Sequence, residues 1–211
     1  MDIADIRKEY TKKSLELEMV AGYPIDQFKF WMDEALKSQV IEPTAMNVST
    51  INSRNRPSSR IVLLKGIDHG FIFYTNYESK KGIELTHFPF AALTFFWPEL
   101  ERQVRIEGEV EKVPANISDE YFLSRPKGSQ IGAWVSPQSQ SIPSRVYLEN
   151  REKELIIKFN EDPLTRPANW GGFRLIPDYV EFWQGRANRL HDRIAFEKGV
   201  AGNWEKKRLA P

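Results

Sequence analysis

Apolar side chains near the N-terminus recur at the spacing of one helix face. In "YPIDQFKFWMDEALKSQ", residues 23–39, the positions that follow an i, i+3, i+4, i+7, i+8 pattern are Phe28, Trp31, Met32, Ala35 and Leu36. Asp26 precedes this run and is of a residue type that caps helices. We therefore predict an amphipathic helix that Asp26 caps and that buries these five side chains.

Beyond Pro43 the pattern changes to short runs rich in β-branched and aromatic residues, which predict strands at 45–52, 59–66, 70–76 and 90–97. Segment 102–113 alternates apolar and polar residues, as a half-exposed strand does. The C-terminal third predicts strands at 171–177, 179–185 and 190–198, and helices are predicted at 79–88, 116–126 and 143–160. Without a regular βαβ alternation, this order predicts an α+β fold that is mainly antiparallel β, a β-barrel with peripheral helices.

Composition sets limits on the function. A chain of 211 residues fits a single domain, 1–211, and its formal net charge of +1 argues against a nucleic-acid or membrane partner. The sequence contains no Cys, so it has no disulfide framework and no thiolate nucleophile, which fits a cytoplasmic location. No apolar run reaches the length of a membrane span.

Three segments concentrate donors that suit phosphate. Strand 59–66 carries a cation near each end, Arg60 and Lys65. The segment "YTNYESKKG" offers Tyr74, Thr75, Ser79, Lys80 and Lys81 between a strand and a helix N-terminus. The segment "YFLSRPKGS" offers Tyr121, Ser124, Arg125, Lys127 and Ser129. Each set has the alternative interpretation of charges that are simply solvated.

The densest cluster is "EFWQGRANRLHDR", residues 181–193. If the segment from 190 is a strand, its period of two places Arg189, His191 and Arg193 on one face. Three potential cations on one face repel each other unless an anion or a ring system receives them. A solvated edge strand is the alternative.

Other chemistries have little support. The sequence has no P-loop, no G-x-G-x-x-G and no G-x-S-x-G motif. Its three His residues, at 69, 87 and 191, are scattered, and no pair has metal-ligand spacing. We therefore predict no metal site.

The C-terminal cluster closely resembles the signature of the pyridoxine (pyridoxamine) 5'-phosphate oxidases. The resemblance extends through "RIVLLKG", "FYTNYESKKG", "ERQVRIEG", "YFLSRPKGSQIGAWVSPQS", "NWGGFR" and the terminal "RLAP". It implies an FMN-binding split β-barrel, a homodimer with FMN at the subunit interface and a C-terminal dimerisation and active-site region at 168–211. It also implies that residues 1–20 include a mobile segment, in which "RKEY" contacts substrate.

The resemblance implies that the protein oxidises pyridoxine 5'-phosphate or pyridoxamine 5'-phosphate to pyridoxal 5'-phosphate, with O2 as electron acceptor and H2O2 as product. The positions that match the family's FMN contacts are Arg60, Ile61, Val62, Leu63, Leu64, Lys65, Tyr74, Thr75, Lys80, Lys81, Gln103, Gln138, Ser139, Trp183 and Arg193. Those that match substrate contacts are Arg7, Lys8, Glu9, Tyr10, Lys65, Tyr121, Arg125, Ser129, Arg189, Leu190 and His191. Arg189 and His191 match the residues over the reacting ring and are the predicted catalytic pair.

Two positions depart from the family's pattern. Lys80 stands where many relatives have Arg, which replaces a forked phosphate contact by a point charge. The segment "INSRNRPSSR" lacks the Gly-containing turn expected before the first FMN strand. Two other functions stay open: a nicotinamide-dependent flavin reductase of the same fold, and a carrier that binds flavin or B6 phosphate without reaction.

Overall fold

The protein is described here by a computed structural model over residues 9–211. Its helices are α1 (Pro24–Lys37), α2 (Lys80–His87), α3 (Ala115–Ser124), α4 (Lys127–Val135) and α5 (Arg145–Glu161). Its strands are β1 (Ala45–Ile51), β2 (Pro57–Leu63), β3 (Gly66–Ile67), β4 (Phe71–Asn76), β5 (Phe90–Trp97), β6 (Arg102–Lys112), β7 (Trp170–Gln184), β8 (Asp192–Lys198) and β9 (Trp204–Leu209).

These strands form one antiparallel sheet in the order β2-β1-β5-β6-β7-β4-β3, and β8 pairs with both β7 and β9. The sheet curls into a half-barrel, and five α-helices accompany it among the described residues. The predicted α+β, mainly antiparallel class is therefore confirmed. Strand β6 alternates between buried and more exposed residues as its sequence predicts.

The prediction of two separate strands at 171–177 and 179–185 was wrong, because β7 runs through both. Pro177 lacks an N–H donor, and β6 accommodates it with a register shift between Glu107 and Gly108. A Cβ at Gly108 would lie 2.0 Å from the carbonyl oxygen of Ile176, so the close approach of the two strands requires glycine there.

Helix α1 packs against the sheet through its aromatic side chains. Phe28 is fully buried between Phe71 and Phe95, with ring centroids 4.9 Å from each. Burial of such a ring stabilises the fold by roughly 2–3 kcal/mol. Two details of the prediction were wrong: α1 begins at Pro24 with Tyr23 as N-cap, so Asp26 lies in the first turn, and Leu36 is 56% exposed. The burial of Phe28, Trp31, Met32 and Ala35 is confirmed.

The sequence patterns did not predict α4 or β9. Helix α4 begins with Lys127 and Gly128, which resemble a turn, but its buried residues Ile131 and Val135 pack with Phe159 of α5 in a small second core. No helix within residues 9–211 is both long enough and apolar enough to cross a membrane. Over the same residues, no group of three or more His, Asp or Glu side chains could hold a metal ion.

Candidate functional site

An ion pair between half-buried Arg60 and buried Glu84 joins β2 to α2. The Arg60 guanidinium lies 3.2 Å from Glu84 Oε2 and donates to the hydroxyls of Thr50 and Ser58. Burial opposes ionisation of Glu84, but hydrogen bonds from Thr50 and Ser58 and the charge of Arg60 hold its pKa below the ordinary value. Arg60 is thus fixed in position on an edge strand.

The turn before β2 forms without the glycine that the family's pattern led us to expect. Asn55 adopts a φ of 54°, and the Asn52 side-chain oxygen accepts hydrogen bonds from the backbone N–H groups of Arg54 and Arg56. Asn tolerates this left-handed conformation better than most residues. The hairpin therefore aligns Arg60 opposite Val48 of β1.

Beside this ion pair, the β4–α2 junction presents a buried cation. Lys81 is 8% exposed, and its Nζ donates to Thr75 Oγ1 at 3.0 Å. Thr75 Oγ1 in turn donates to Gln138 Oε1 at 3.0 Å. Burial, together with the charge of Arg60, lowers the pKa of Lys81, and Glu84 opposes this shift. Lys81 is therefore a cation that a nearby anion would stabilise.

One residue of this junction has a different role from the one that the sequence predicts. The Ser79 side chain caps α2 by accepting a hydrogen bond from the Gly82 N–H, so its predicted role as a ligand hydroxyl is replaced by a structural one. Lys80 is exposed, as are Lys65 and Gln138. Ser139, also exposed, has a φ of 71°.

An aromatic stack lies against the next donor. The Tyr74 and Tyr121 rings are stacked with centroids 3.9 Å apart, and Trp170 is nearly parallel to both. The Arg125 guanidinium carbon lies 4.6 Å from the Trp170 ring centroid. Its Nη1 atom is buried without a hydrogen-bond partner among the described residues. Burial lowers the pKa of Arg125 and raises that of Tyr121.

Arg125 faces a cavity of about 260 Å³. The cavity is lined by Asn76, Arg125, Ser129, Gly132, Ala133, Ser136, Gln138 and Trp170. Because a buried donor without an acceptor costs roughly 1–3 kcal/mol, the orphaned Nη1 indicates a place for an anionic ligand. Gln138 also accepts a hydrogen bond from the Asn76 N–H at 3.3 Å, which connects this cavity to Thr75 and Lys81.

A second group lies in one row across the sheet. Gln103 of β6 pairs with Trp183 of β7, and Trp183 pairs with Arg193 of β8. Directly opposed residues of antiparallel strands share a face, so these three side chains point to the same side. The sequence patterns alone did not place Gln103 beside the C-terminal cluster.

The predicted strand at 190–198 begins only at Asp192, so the expectation that Arg189, His191 and Arg193 share a strand face was wrong. Residues 187–189 form a 3-10 turn in which Asn188 and Arg189 have φ of 55° and 60°. Arg189 and Leu190 are exposed. The turn places His191 with its ring centroid 4.5 Å from that of Trp183.

His191 is held as a neutral ring. Its Nδ1 accepts a hydrogen bond from the Arg186 N–H at 3.1 Å, which leaves the proton on Nε2. Burial and the charge of Arg189 lower the pKa of His191, and Asp192 opposes this shift. Tyr10 packs edge-on against both rings, 5.7 Å from Trp183 and 5.9 Å from His191.

Arg193 is paired with a buried carboxylate. Its Nε and Nη2 donate to the two oxygens of Glu181 at 2.9 and 3.0 Å, and Glu181 also accepts from Tyr179. Burial, with the hydrogen bond to Glu181, raises the pKa of Tyr179 to about 12. Burial opposes the ionisation of Glu181, but the bonds from Arg193 and Tyr179 keep its pKa low. The hydrogen bond to Glu181 raises the pKa of Arg193.

The two groups do not meet within one chain. Asn76 pairs with Trp170 at the start of β7, whereas Trp183 lies near its end. Thirteen residues of extended strand span up to roughly 40 Å. Arg60 and Arg125 therefore lie at one end of β7, and Arg189 and His191 at the other. Of the predicted N-terminal contacts, Glu9 and Tyr10 are described, whereas Arg7 and Lys8 lie outside the described residues.

Three residues that sequence reasoning missed support these groups: Glu84, Trp170 and Glu181. Trp170 and Glu181 belong to the quoted segments "NWGGFR" and "EFWQG", so their presence in those motifs was the available signal. Their partners, Arg125 and Arg193, are distant in sequence or on another strand, and only the fold brings them into contact.

Comparison with known proteins adds a consistent set of relatives. A family model described as pyridoxamine 5'-phosphate oxidase matches residues 32–157, and one described as the pyridoxine 5'-phosphate oxidase C-terminal dimerisation region matches 170–211. The pyridoxine/pyridoxamine 5'-phosphate oxidase of Cupriavidus pinatubonensis is 54% identical over 210 residues, 99% of each chain. That of Cytophaga hutchinsonii is 52% identical, covering 100% of this chain and 99% of its own.

Solved structures agree on the fold. PhzG from Burkholderia lata, in complex with tetrahydrophenazine-1-carboxylic acid, has a TM-score of 0.89 at 30% identity, covering 95% of this chain and 100% of PhzG. A pyridoxamine 5'-phosphate oxidase-related, FMN-binding protein from Nostoc punctiforme has a TM-score of 0.71 at 16% identity, covering 87% and 97%. The second likeness concerns the fold alone.

Proposed function

The chain belongs to the pyridoxamine 5'-phosphate oxidase family, and from this membership we propose that it converts pyridoxine 5'-phosphate and pyridoxamine 5'-phosphate to pyridoxal 5'-phosphate with FMN and O2. The observation that supports a phosphorylated substrate most directly is the buried, unpartnered Nη1 of Arg125 at the cavity. A phosphate dianion supplies the acceptors that this guanidinium lacks.

The residues at the β4–α2 junction fit the FMN phosphate. Lys81 and Thr75 offer an ammonium and a hydroxyl 3.0 Å apart, with Arg60 held close by Glu84. Lys80 lies exposed at the first turn of α2, where N–H groups also favour an anion. An anion bound here relieves the unfavourable burial of the Lys81 charge. The row of Gln103, Trp183 and Arg193 offers donors and an aromatic surface for the flavin ring.

The substrate phosphate would bind to Arg125, Tyr121, Ser129 and Lys65. Binding energy gained there orients the far end of the substrate without touching the reacting carbon. Tyr121 is itself held by its stack with Tyr74, so its hydroxyl is preorganised. Arg125 is held against Trp170 in the same way.

Because the two groups lie at opposite ends of β7, one chain cannot build this site alone. We propose that two chains assemble as a homodimer in which each site takes Arg60, Lys81 and Arg125 from one protomer and the row around Trp183 from the other. The match of 170–211 to a dimerisation region supports this assembly. Ile61 and Phe96, which are 66% and 53% exposed, are apolar side chains that a partner surface would cover.

FMN held by Arg60, Lys81 and the row around Trp183 would supply the two-electron redox chemistry that side chains lack. In the overall reaction, the alcohol and O2 would give the aldehyde and H2O2, and the amine with O2 and water would give the aldehyde, NH3 and H2O2. Arg189, exposed on the 187–189 turn, would cover the pyridine ring by stacking its guanidinium on it. Neutral His191, whose proton lies on Nε2, would donate a hydrogen bond to a substrate oxygen. These roles are orientation and exclusion of water.

The test is an anaerobic mixture of purified, FMN-loaded protein with pyridoxamine 5'-phosphate. The oxidase proposal predicts that the flavin absorbance bleaches, and that air restores it with release of H2O2. A carrier would leave the flavin oxidised, and a reductase would bleach only with a nicotinamide. Tetrahydrophenazine-1-carboxylic acid, the ligand of PhzG, is the control compound without phosphate, and it should not bleach the flavin.

A variant tests the predicted role of Arg189. Arg189→Ala is expected to slow flavin reduction by more than about tenfold, since a lost charged contact is worth at least that factor. The flavin should stay bound, because Arg189 is not among the predicted cofactor contacts. Turnover at the parent rate would remove Arg189 from the mechanism.

A further inference from the structure

The "ERQV" motif contains a glutamate that none of the roles above uses. Glu101 closes the turn between β5 and β6, where it is 2% exposed and has a φ of 56°. A buried glutamate in the left-handed region costs backbone energy that glycine would avoid. The turn by itself therefore does not account for a glutamate at this position.

The carboxylate of Glu101 binds the N-terminal segment. Its Oε2 accepts hydrogen bonds from the backbone N–H groups of Thr11 at 2.9 Å and Lys12 at 3.0 Å. These two donors would otherwise have no partner in a strand or helix, because residues 9–16 form neither. Charge-assisted bonds of this kind are stronger than neutral ones.

The same residue also holds the end of β7. The Glu101 carbonyl oxygen accepts from the Gly185 N–H at 2.8 Å and from Gln184 Nε2 at 3.2 Å. Gly185 in turn is the surface on which Tyr10 lies, since a Cβ at Gly185 would be 2.7 Å from the Tyr10 Cβ and Cγ atoms. Glu101 thus joins the N-terminal segment to the strand end that carries Trp183.

Further anchors along the segment are more distant from Tyr10. The Leu15 N–H donates to Asp192 Oδ2 at 3.0 Å, and Leu15 is buried in the main core. The Lys13 ammonium pairs with Glu34 on α1. Among the side-chain acceptors of backbone N–H groups in the described segment, Glu101 is therefore the one adjacent to Tyr10.

We propose that Glu101 is a positioning residue, a carboxylate latch that seats Tyr10 on Gly185 against Trp183 and His191 and so holds residues 10–12 where Tyr10 can contact the substrate. The substrate part of this inference rests on the proposed function. The latch itself rests only on the contacts within one chain.

The test uses Glu101→Gly in the full-length, FMN-loaded protein. Glycine suits a φ of 56°, so the turn is preserved while both carboxylate bonds are lost. Glu101→Gln keeps one acceptor oxygen and should restore part of the behaviour. The matched control is Glu42→Gly: Glu42 also has a positive φ, 52°, is exposed, and its carboxylate accepts no hydrogen bond from the described residues.

The first measurement is limited proteolysis with trypsin, with mass spectrometry to identify cleavage after Lys12 or Lys13. When opening is fast, cleavage follows the population of the open segment. Loss of two bonds to a charged acceptor should raise this cleavage by about tenfold or more in Glu101→Gly. Glu42→Gly should cleave at the parent rate. Unchanged cleavage in Glu101→Gly would overturn the latch, and this arm does not depend on enzyme activity.

The second measurement is steady-state oxidation of pyridoxamine 5'-phosphate. Glu101→Gly should raise KM by about three- to tenfold with kcat within about twofold, because the latch acts through binding. Tyr10→Ala should raise KM similarly, and the double variant should be no worse than either alone. Additive effects, or an unchanged KM despite faster cleavage, would overturn the positioning role. A parent protein that oxidises neither pyridoxine 5'-phosphate nor pyridoxamine 5'-phosphate would instead contradict the proposed function.

Gly185→Ala offers an independent route to the same state. Its Cβ would displace Tyr10 while the Glu101 carboxylate remains in place. It should raise KM as Tyr10→Ala does, with little further effect in the Tyr10→Ala background. A full-size additional effect there would show that Gly185 acts on something other than the seat of Tyr10.

Discussion

Two arginines that lie beside opposite ends of β7, Arg125 and Arg193, have different electrostatic surroundings. Near Trp170, Arg125 rests on an aromatic ring, and its Nη1 has no hydrogen-bond partner among the described residues. Near Trp183, Arg193 is bound by both oxygens of Glu181. Arg125 is thus oriented by aromatic rings with a donor left free in the described part of the chain, whereas Arg193 is fixed by a carboxylate.

At Arg125, a buried carboxylate in place of the rings would compete with a phosphate for the guanidinium. An aromatic face orients Arg125 through its quadrupole but adds no acceptor, so the donors stay available. Arg193 instead donates to Glu181 and to the carbonyl oxygen of Ala210, so all three of its nitrogens already have an acceptor. We infer from this contrast that the first end selects the phosphorylated substrate and the second end shapes a site for the flavin.

The largest expected effect comes from removing the unpaired cation. Arg125→Ala should lower kcat/KM for pyridoxamine 5'-phosphate by about 30-fold or more, since loss of a buried charged partner costs roughly 2–5 kcal/mol. Steady-state kinetics with pyridoxamine lacking the phosphate is the control, because that rate should not change between parent and variant. Equal losses with both substrates would show that Arg125 supports the fold rather than the phosphate.

Removing the paired carboxylate should affect stability instead. Glu181→Gln weakens the bonds from Arg193 and Tyr179, so urea denaturation should show a loss of roughly 1–3 kcal/mol in unfolding free energy at pH 7. Because the pKa of Glu181 is held below 4.5, this difference is present above that pH and shrinks as the pH falls through the lowered pKa. The KM for the phosphorylated substrate should stay near the parent value. A large rise would show that the Glu181–Arg193 pair also contributes to substrate binding.

A smaller effect tests the aromatic support of Arg125. Trp170→Leu removes the cation–π contact and should raise KM for the phosphorylated substrate by about three- to tenfold, whereas Trp170→Phe should retain much of the affinity. Thermal unfolding of both variants separates this effect from a loss of core packing, since Trp170 also packs against Phe122. If Phe and Leu behave alike at equal stability, the ring does not position Arg125.

The smallest effect concerns His191. Because its pKa is lowered in the folded state, the unfolded chain binds more protons, and His191 costs stability as pH falls below its ordinary value of 6.5. The parent should therefore lose more unfolding free energy between pH 7 and 5 than His191→Gln, measured by urea denaturation at each pH. A steeper loss in the variant would mean that the charged ring is favoured in the fold.

Local patterns were sufficient for much of the fold. The alternation in 102–113 predicts β6, and the helical spacing of Phe28, Trp31 and Met32 predicts the buried face of α1, because both reflect which side chains leave water. Helix α4 and strand β9 escaped prediction, since the first starts like a turn and the second alternates few apolar residues. The single-domain organisation over 1–211 and the assigned site residues stay predictions.

By itself, the sequence determined the chemical inventory: phosphate-binding donors in three separate segments, the motifs that resemble the oxidase family, and the absence of cysteine. Only the tertiary structure decided which of these donors meet, that Arg125 lacks an acceptor while Arg193 has one, and that the two groups occupy opposite ends of β7. The reason is that hydrogen bonding and burial depend on contacts between residues far apart in the chain. The turn at 187–189 illustrates this dependence, because its left-handed residues follow no local period and yet place His191 beside Trp183.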